Sequence, residues 1–153
     1  MANYKEIQGF PIQNLSLDPV PFAQEIANNP YQGNWASGGA LNTGRYGMAA
    51  TGTQTAALSA TGSVAGAPYT RAVELYNGST WTEVNDVNTG RYSFTGAGTS
   101  TASMICGGYD GANTALTELW DGTNWTEVND LNAARNSNAT FGTSTAAITA
   151  TGS

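Results

Sequence analysis

The chain has 153 residues, of which 10% are charged, and its net charge is −6. This acidic, weakly charged composition lacks the basic surface expected of a nucleic-acid-binding protein. It contains neither a run of about 18 apolar residues nor a charged start followed by an apolar core, so we expect no membrane insertion and no cleaved signal peptide.

Residues 1–34 form the first of two predicted segments and do not share the repeat found further along. The pattern predicts a short strand over 1–7, an extended stretch over 9–15 and a two-turn helix over 18–30 that Asp18 caps. Because so short a helix is unstable alone, it must pack against something. Two interpretations stay open, an anchor onto another protein and a cap over the edge of the chain's own sheets. The predicted anchor residues are Tyr4, Ile7, Phe10, Ile12, Leu15, Phe22 and Ile26.

Residues 35–153 contain an internal repeat. The stretch 74–91 returns almost unchanged as 118–135, and a partial earlier copy starts at Trp35. Both the tryptophans and the arginines of the copies are spaced by 46 and then 44 residues; they are Trp35, Trp81, Trp125, Arg45, Arg91 and Arg135. A repeat of this length is typical of stacked or radial sheets. We expect units near 35–86 and 87–130 and an incomplete unit at 131–153.

The sequence of each complete unit predicts four β-strands. Residues 76–78 and 120–122 carry Asn-Gly or Asp-Gly after an aromatic residue, which predicts hairpin turns with positive φ at these positions. Residues 101–108 predict a buried strand that ends at Gly107 and Gly108, with Thr61-Gly62 in their place in the first unit. A further strand is expected over 92–97. The predicted fold class is all-β, with four-stranded antiparallel sheets after an irregular N-terminal segment.

Five charged residues recur at two fixed positions of the repeat. Arg45, Arg91 and Arg135 occupy the same position in successive copies of the repeat, which we call their phase. Glu74 and Glu118 share a second phase. Because a buried guanidinium needs hydrogen-bond partners, we expect each phased Arg to pack between sheets and to bind carbonyls or the phased Glu. A row of arginines that grips an anionic ligand is the alternative. The remaining repeated carboxylates are expected on the solvent-facing surface; they are Glu83, Asp86, Glu127 and Asp130.

The repeated tryptophans and the single cysteine favour a structural interpretation. Fixed-phase tryptophans predict packing between neighbouring sheets, and a stacking platform for sugars is the alternative. Cys106 lies among apolar residues and is expected to be a small buried side chain. Residues 109–113 are interpreted as a turn, because one carboxylate is too few for a calcium site.

The order of these residues resembles a kelch repeat. Arg91, the Gly107-Gly108 strand end, the Trp120-Asp121 turn and Trp125 follow the kelch pattern, and the resemblance covers about residues 35–153. It implies blades of a β-propeller, of which the chain holds about two and a half, whereas a closed ring needs about four to eight. We therefore expect a longer chain that continues beyond Ser153, or completion by other copies in a homo-oligomer.

The amino-acid sequences of residues 76–91 and 1–7 resemble those of kelch-type virion proteins of marine tailed bacteriophages, especially cyanophages. This resemblance implies a structural protein of the extracellular virion, such as a tail fibre. Residues 1–34 would attach to a tail or capsid protein, and the blades would project outward towards a host-surface glycan or receptor. The alternative is a carbohydrate- or receptor-binding propeller that is not tied to a virion.

The sequence also bears on catalysis. The chain has no His, which excludes a Ser-His-Asp triad and most zinc and copper sites. No pair of carboxylates recurs at a spacing that suggests glycoside hydrolysis. Gly78, Gly107, Gly108 and Gly122 lie in predicted hairpins rather than before a helix, so they predict no phosphate cradle. We expect a protein without enzymatic activity, cofactor or metal.

Overall fold

The computed structural model describes residues 37–153, which form ten β-strands and, within that range, no helix. The predicted strand over 1–7, the extended stretch over 9–15, the helix over 18–30, the anchor residues and Trp35 lie outside the described residues. The strands are β1 (Ala49–Thr53), β2 (Ala56–Ala60), β3 (Val73–Tyr76), β4 (Trp81–Val84), β5 (Gly96–Gly98), β6 (Ser103–Cys106), β7 (Thr117–Trp120), β8 (Trp125–Val128), β9 (Ala139–Gly142) and β10 (Ala147–Ala150).

The strands form three antiparallel sheets in which neighbours in sequence are neighbours in space. The first sheet has the order β1-β2-β3-β4 and the second has the order β5-β6-β7-β8. The third sheet consists of β9 and β10. The prediction of an all-β fold with four-stranded antiparallel sheets is therefore confirmed for the described residues.

The hairpin loops after β3 and β7 lie where the Asn-Gly and Asp-Gly pairs predict them. Their backbone conformation, however, differs from the predicted one. Tyr76 pairs with Trp81 across the first loop, which is thus four residues long. Positive φ occurs at Gly78, whereas the prediction of positive φ at Asn77 is wrong. Instead, the Asn77 side-chain oxygen accepts the backbone N–H of Ser79 and Thr80, each at 2.9 Å. The side chain thus closes the turn as a hydrogen-bond acceptor.

The prediction of a strand over 92–97 is only partly right, because β5 begins at Gly96. Tyr92 makes a single bridge to Tyr109, and Ser93 adopts a left-handed conformation with φ of 62°. Its N–H donates to the carbonyl of Gly47 at 2.8 Å. The backbone therefore turns towards the preceding unit before the strand begins.

Thr-Gly and Gly-Gly adopt the same backbone conformation at the ends of the second strands. Gly107 and Gly108 have φ of 70° and 110°, and Thr61 and Gly62 have φ of 59° and 109°. Thr151 and Gly152 repeat this conformation with φ of 62° and 96°. The three units thus share one backbone conformation, although a β-branched residue is rarely found at positive φ.

The hydrophobic core lies between the first and second sheets. One face of the first sheet contributes Ala49, Leu58, Ala60 and Val73, and the second sheet contributes Ile105, Trp120 and Trp125. Leu58, Val73 and Ile105 have no exposed surface. Burying one such side chain contributes about 1.5–3 kcal/mol to folding. The two sheets therefore stabilise each other through their faces.

Hydrogen bonds at repeated positions also join the units. Gly47, Ser93 and Ser137 all have positive φ, at 63°, 62° and 53°. Ser93 N–H donates to the Gly47 carbonyl at 2.8 Å, and Ser137 N–H donates to the Ser93 carbonyl at 2.7 Å. This backbone ladder runs through all three units.

Cys106 is fully buried between the second and third sheets, as the sequence predicts. Its sulfur lies 3.4 Å from the Thr140 hydroxyl and 3.0 Å from the Thr149 hydroxyl. It therefore forms part of the contact between these two sheets.

Candidate functional site

Two of the three phased arginines form ion pairs with the phased glutamates. Arg91 is fully buried, and its Nη1 lies 2.7 Å from Oε1 of Glu118 on β7. The same carboxylate accepts the backbone N–H of Asn88 at 2.8 Å. In the first unit, Arg45 pairs with Glu74 on β3, and the Asn42 N–H donates to that carboxylate at 2.8 Å. These guanidinium groups are therefore committed to internal partners and are not arranged as a row for an anionic ligand.

The two ion pairs connect distant segments of the same unit. Each Arg–Glu pair joins the segment before a sheet to the third strand of that same sheet. The backbone of Arg91, in contrast, reaches the preceding sheet, because its carbonyl accepts the Gly62 N–H at 3.0 Å. Arg135 repeats the backbone contact with Gly108 N–H at 2.8 Å. Within residues 37–153, however, Arg135 has no carboxylate partner, and its Nη1 donates to the Thr151 carbonyl at 3.1 Å.

The repeated tryptophans pack against aromatic residues on the neighbouring strand. Trp81 begins β4 and lies 4.9 Å from Tyr76 between ring centroids, and Trp125 begins β8 and lies 5.3 Å from Trp120. Trp125 is only 7% exposed. Trp81 is half-buried and donates its indole N–H to the Gly39 carbonyl at 2.8 Å. Both rings therefore serve packing rather than form an open sugar platform.

The remaining positions predicted from the sequence are the glycine strand end, the turn over residues 109–113 and the repeated carboxylates outside the ion pairs. The N–H of Gly107 donates to the Leu116 carbonyl at 3.0 Å, at the end of β6. Residues 109–113 form a turn closed by an Asp110-to-Ala112 backbone bond, as predicted. The four repeated carboxylates outside the ion pairs are exposed, also as predicted; they are Glu83, Asp86, Glu127 and Asp130.

Four tyrosines form an exposed aromatic cluster, which we call the tyrosine cluster: Tyr46, Tyr69, Tyr92 and Tyr109. The ring of Tyr69 stacks on Tyr92 with 6.0 Å between centroids, and Tyr92 meets Tyr109 edge-on at 5.7 Å. Tyr46 packs edge-on against Tyr92 at 6.4 Å. Tyr46 is 66% exposed and Tyr69 is 36% exposed. The cluster thus exposes the rings of Tyr46 and Tyr69 to solvent, while Tyr92 and Tyr109 are half-buried beside them.

The tyrosine cluster is assembled from two units. Tyr46 and Tyr92 directly follow phased arginines, in the segments before β1 and β5. Tyr69 lies in the loop after β2, and Tyr109 lies in the loop after β6. Backbone hydrogen bonds of 3.1 and 2.9 Å between Tyr92 and Tyr109 hold two of these segments together. The cluster is therefore fixed by the backbone and not by side-chain packing alone.

The phenol of Tyr69 has an altered acidity. Partial burial raises the pKa of Tyr69 above its ordinary value of 10.0, and the nearby Tyr109, Tyr92 and Asp110 raise it further by repulsion of negative charge. At neutral pH this hydroxyl is therefore protonated. It can donate one hydrogen bond and accept others.

An open depression of about 590 Å³ adjoins the tyrosine cluster at Tyr46. It is lined by residues 44–46 and 63–66 and by Pro68. Arg45 is the charged residue of this lining, and its charge is paired with Glu74. The lining therefore combines one aromatic ring with small residues and a cation that is already paired.

The predicted site residues do not include the tyrosine cluster, although the sequence contains one signal for it. Arg45-Tyr46 and Arg91-Tyr92 recur 46 residues apart, so a tyrosine follows two of the three phased arginines. In the third unit the equivalent position is Asn136. Tyr69 and Tyr109 have no such phase relationship, and only the folded chain brings them to this surface.

Comparisons with models of known protein families and with curated proteins find no match to the chain. Among the described residues, no helix is long and apolar enough to cross a membrane. The same part of the chain contains no group of three or more Cys, Asp or Glu side chains arranged to hold a metal ion. The tyrosine cluster and its neighbouring depression are the candidate functional site.

Proposed function

We propose that the chain is a structural component of a bacteriophage virion. In this proposal, residues 1–34 attach to a tail or capsid protein, and the repeat region projects from the particle as a kelch-like fibre or adhesion module. The tyrosine cluster binds a glycan or receptor on the host surface. The proposed function involves no catalysis, cofactor, nucleic acid or membrane insertion.

The placement of the first strands supports the propeller-type part of this proposal. β1 packs against β5, and β5 packs against β9. The first strand of each sheet therefore adjoins the first strand of the next. Antiparallel sheets arranged radially around their first strands are the geometry of a β-propeller. The kelch-like order of Arg91, Gly107-Gly108 and Trp125 agrees with this arrangement.

The adhesion part of the proposal depends on one observation, the exposed tyrosine cluster. Soluble proteins usually bury aromatic rings, and an exposed aromatic surface beside a depression marks a binding site. The face of a pyranose ring stacks on an aromatic ring, and its hydroxyl groups need neutral hydrogen-bond partners. Tyr46 and Tyr69 offer both features, because each has an exposed ring and a phenol hydroxyl.

A binding experiment tests the adhesion role. The full chain is applied to an array of host-surface glycans, and the affinity for the best neutral glycan is then measured by titration. We expect Tyr46→Ala and Tyr69→Ala each to weaken binding by about three- to tenfold, since each removes one stacking ring. An array without any bound glycan would contradict the adhesion role.

Phe141 supplies a matched control for this experiment. Its ring is 66% exposed, as is that of Tyr46, and it lies in the third sheet outside the tyrosine cluster. We expect Phe141→Ala to bind the glycan with unchanged affinity. An equal loss of binding in Phe141→Ala and Tyr46→Ala would mean that non-specific adhesion to aromatic surface explains the signal.

A second experiment tests the attachment role. A phage that encodes the chain without residues 2–34 is grown, and purified particles are probed for the truncated protein. We expect the truncated chain to be missing from particles while it is still produced in the infected cell. Incorporation at the normal level would remove the attachment role from residues 1–34 and would leave the adhesion role untouched.

The second candidate function is a glycan- or receptor-binding module that is not tied to a virion. The observation that favours it is again the tyrosine cluster, which needs no particle in order to bind a sugar. The two candidates differ in the incorporation experiment, because a module outside a virion is missing from particles with or without residues 2–34.

A further inference from the structure

The loop after β3 contains Asn77-Gly78, the one Asn-Gly pair in the sequence. Both residues are exposed at the tip of the hairpin. The main-chain nitrogen of the residue after an asparagine can attack the carbonyl carbon of the asparagine side chain. Glycine favours this attack, because it has no Cβ to hinder the approach of its nitrogen. Asn77 is therefore the asparagine of this chain that is most susceptible to spontaneous loss of its side-chain amide.

This reaction needs water and no other reactant. The Gly78 nitrogen forms a bond to Cγ of Asn77, the bond from Cγ to Nδ2 breaks, and the proton of the Gly78 nitrogen leaves with Nδ2 as ammonia. Water then adds to Cγ of the resulting cyclic imide and breaks the bond from Cγ to the Gly78 nitrogen, which takes back a proton. The net change is hydrolysis of the amide to an aspartate, which carries one further negative charge at neutral pH.

The loop after β7 shows how the chain holds such an aspartate. Asp121 occupies the place of Asn77, and its Oδ1 accepts the backbone N–H groups of Thr123 and Asn124, each at 2.7 Å. Oδ1 of Asn77 accepts the two equivalent N–H groups and remains an acceptor after the amide is hydrolysed. Hydrogen bonds from N–H groups to a carboxylate are stronger than those to an amide oxygen. The first loop therefore retains its bonds in the aspartate form.

The two loops also have equivalent neighbours. A Cβ at Gly78 would lie 3.3 Å from the Thr55 carbonyl oxygen, and a Cβ at Gly122 would lie 3.2 Å from the Thr101 carbonyl oxygen. Thr55 and Thr101 occupy the same position of the repeat, in the loops between the first and second strands of their sheets. The surroundings of the first loop therefore accommodate an aspartate as those of the second loop do.

The other hydrolysis product does not fit this loop. Water that adds to the main-chain carbonyl carbon of the imide gives isoaspartate, in which the main chain runs through Cβ and Cγ. The main chain is then longer by one carbon between Tyr76 and Trp81, which pair with each other across the four-residue loop. Aspartate keeps this pairing, whereas isoaspartate displaces it.

Hydrogen bonds of the folded loop oppose closure of the imide ring. Oδ1 of Asn77 accepts the N–H groups of Ser79 and Thr80, each at 2.9 Å, and Nδ2 donates to the Thr80 hydroxyl at 3.2 Å. Because Cγ has to rotate towards the Gly78 nitrogen, these bonds must open before the ring can form. A local opening of the loop therefore precedes the reaction.

The aromatic residues at the base of the two loops differ in burial. Tyr76 and Trp81 flank the first loop and are half-buried. Trp120 and Trp125 flank the second loop and are 2% and 7% exposed. More deeply buried rings contribute more to holding a hairpin closed. The first loop should therefore open more easily than the second.

We propose that Asn77 is a modification site of the folded chain, at which spontaneous deamidation yields an aspartate that the loop holds as it holds Asp121. Local opening of the loop sets the rate. The first hairpin thereby acquires the charge that the second hairpin has from its sequence. Because no step of the reaction restores the amide, the modified fraction of the protein increases with its age.

Ageing of the purified full chain in mildly alkaline buffer tests the site. Samples are digested at intervals, and mass spectrometry follows the mass increase that replacement of the amide NH2 by OH brings. We expect Asn77 to react first among the asparagines, and about ten- to a hundredfold more slowly than in a synthetic peptide of residues 71–86. A rate at Asn77 no higher than the rates at Asn113 and Asn136, or a rate equal to that of the peptide, would overturn the proposal.

Chromatography of the same digests separates the aspartate and isoaspartate products. We expect a larger aspartate fraction from the folded chain than from the peptide, because isoaspartate displaces the pairing of Tyr76 with Trp81. The Asn77→Asp chain represents the product and should melt at neutral pH at a temperature no lower than the wild type. Equal aspartate fractions, or a clearly lower melting temperature of Asn77→Asp, would refute retention of the aspartate by the loop.

The Asp121→Asn variant supplies a matched control, because it places a second Asn-Gly pair in the equivalent loop. Its rate is compared with that of a peptide of residues 115–130 carrying the same substitution. We expect the fold to slow the reaction at position 121 about tenfold more than at Asn77, since Trp120 and Trp125 hold the second loop closed. Equal slowing at the two positions would contradict control of the rate by opening of the loop.

Discussion

The Arg91 guanidinium and the Glu118 carboxylate form an ion pair 2.7 Å long whose two side chains are at most 1% exposed. Arg91 Nη1 also donates to the Thr89 carbonyl at 3.0 Å, and its guanidinium lies 5.3 Å from the centre of the Phe94 ring. Removing one partner of a buried pair leaves the other charge buried without compensation. This pair therefore ties the segment before β5 to β7.

The first prediction compares Arg91 with Arg71. Arg91→Ala should lower the free energy of unfolding by about 3–5 kcal/mol, because it leaves Glu118 buried and unpaired. Arg71 is exposed and donates one hydrogen bond to the Val87 carbonyl, so Arg71→Ala should lower it by about 0.5–1.5 kcal/mol. Urea unfolding of both variants checks the difference. Equal losses of stability would show that the buried pair contributes no more than a surface hydrogen bond.

The second prediction concerns steric room at two glycines with positive φ. Gly66→Ala, at φ of 84°, adds a Cβ with no atom within 4 Å, so it should cost only the left-handed strain of about 1–2 kcal/mol. Gly107→Ala, at φ of 70°, would place its Cβ 2.8 Å from the Arg135 carbonyl oxygen. This overlap should cost about 1–3 kcal/mol more. Thermal unfolding of the two variants measures the difference, and equal melting temperatures would contradict the predicted overlap.

The third prediction uses the pH dependence of stability at Asp121. Hydrogen bonds from the backbone N–H groups of Asn124 and Thr123 lower the pKa of Asp121 below its usual 3.8. Because the folded pKa is lower than the unfolded pKa, the carboxylate stabilises the fold above the unfolded pKa. This stabilisation is lost as the pH falls through the folded pKa.

Urea unfolding of the wild-type chain and Asp121→Asn between about pH 7 and pH 2 checks this prediction. The wild type should lose its advantage over Asp121→Asn as the pH falls. The first hairpin has Asn77 at the equivalent position, so Asn77→Asp should introduce a similar acid-dependent advantage. A difference between Asp121→Asn and the wild type that does not change with pH would contradict the assigned role of the carboxylate.

The fourth prediction concerns the reactivity of Cys106. The thiol is fully buried beside Thr140 and Thr149, so a thiol reagent should reach it only after local or global unfolding. The reaction rate should therefore rise with urea concentration in parallel with opening of the fold. The chain has one cysteine, so the labelled fraction reports this site alone. Rapid labelling without denaturant would show that the contact between the second and third sheets is open.

The repeat was sufficient to predict most of the strands and the positions of the hairpins, because the relevant signals are local. An aromatic residue, Asn-Gly or Asp-Gly, and a following Trp lie within a few positions of each other, and the observed Tyr76–Trp81 pairing depends on that spacing. The buried Arg91–Glu118 pair could also be anticipated, although its partners are 27 residues apart, because both residues keep their phase in two copies.

Features that depend on the neighbouring unit could not be predicted in this way. Ser93 leaves the expected strand because its N–H bonds to Gly47 of the preceding unit, and no local pattern around Ser93 indicates this partner. The tyrosine cluster has the same origin. Tyr69 and Tyr92 stack although the repeat does not relate their positions. Side chains from two units meet there only because the loops after β2 and β6 are brought together by the stacked sheets.

The backbone ladder through Gly47, Ser93 and Ser137 has an evolutionary consequence. Its hydrogen bonds use main-chain atoms alone, so they do not require a particular side chain in the adjoining copy. A gene segment that encodes one whole unit can therefore be duplicated in frame and inserted next to its parent, and the inserted copy finds its bonding partners already in place. The ladder is therefore kept when the number of units changes, whereas side-chain contacts between sheets, such as that of Cys106 with Thr140 and Thr149, depend on which copies meet.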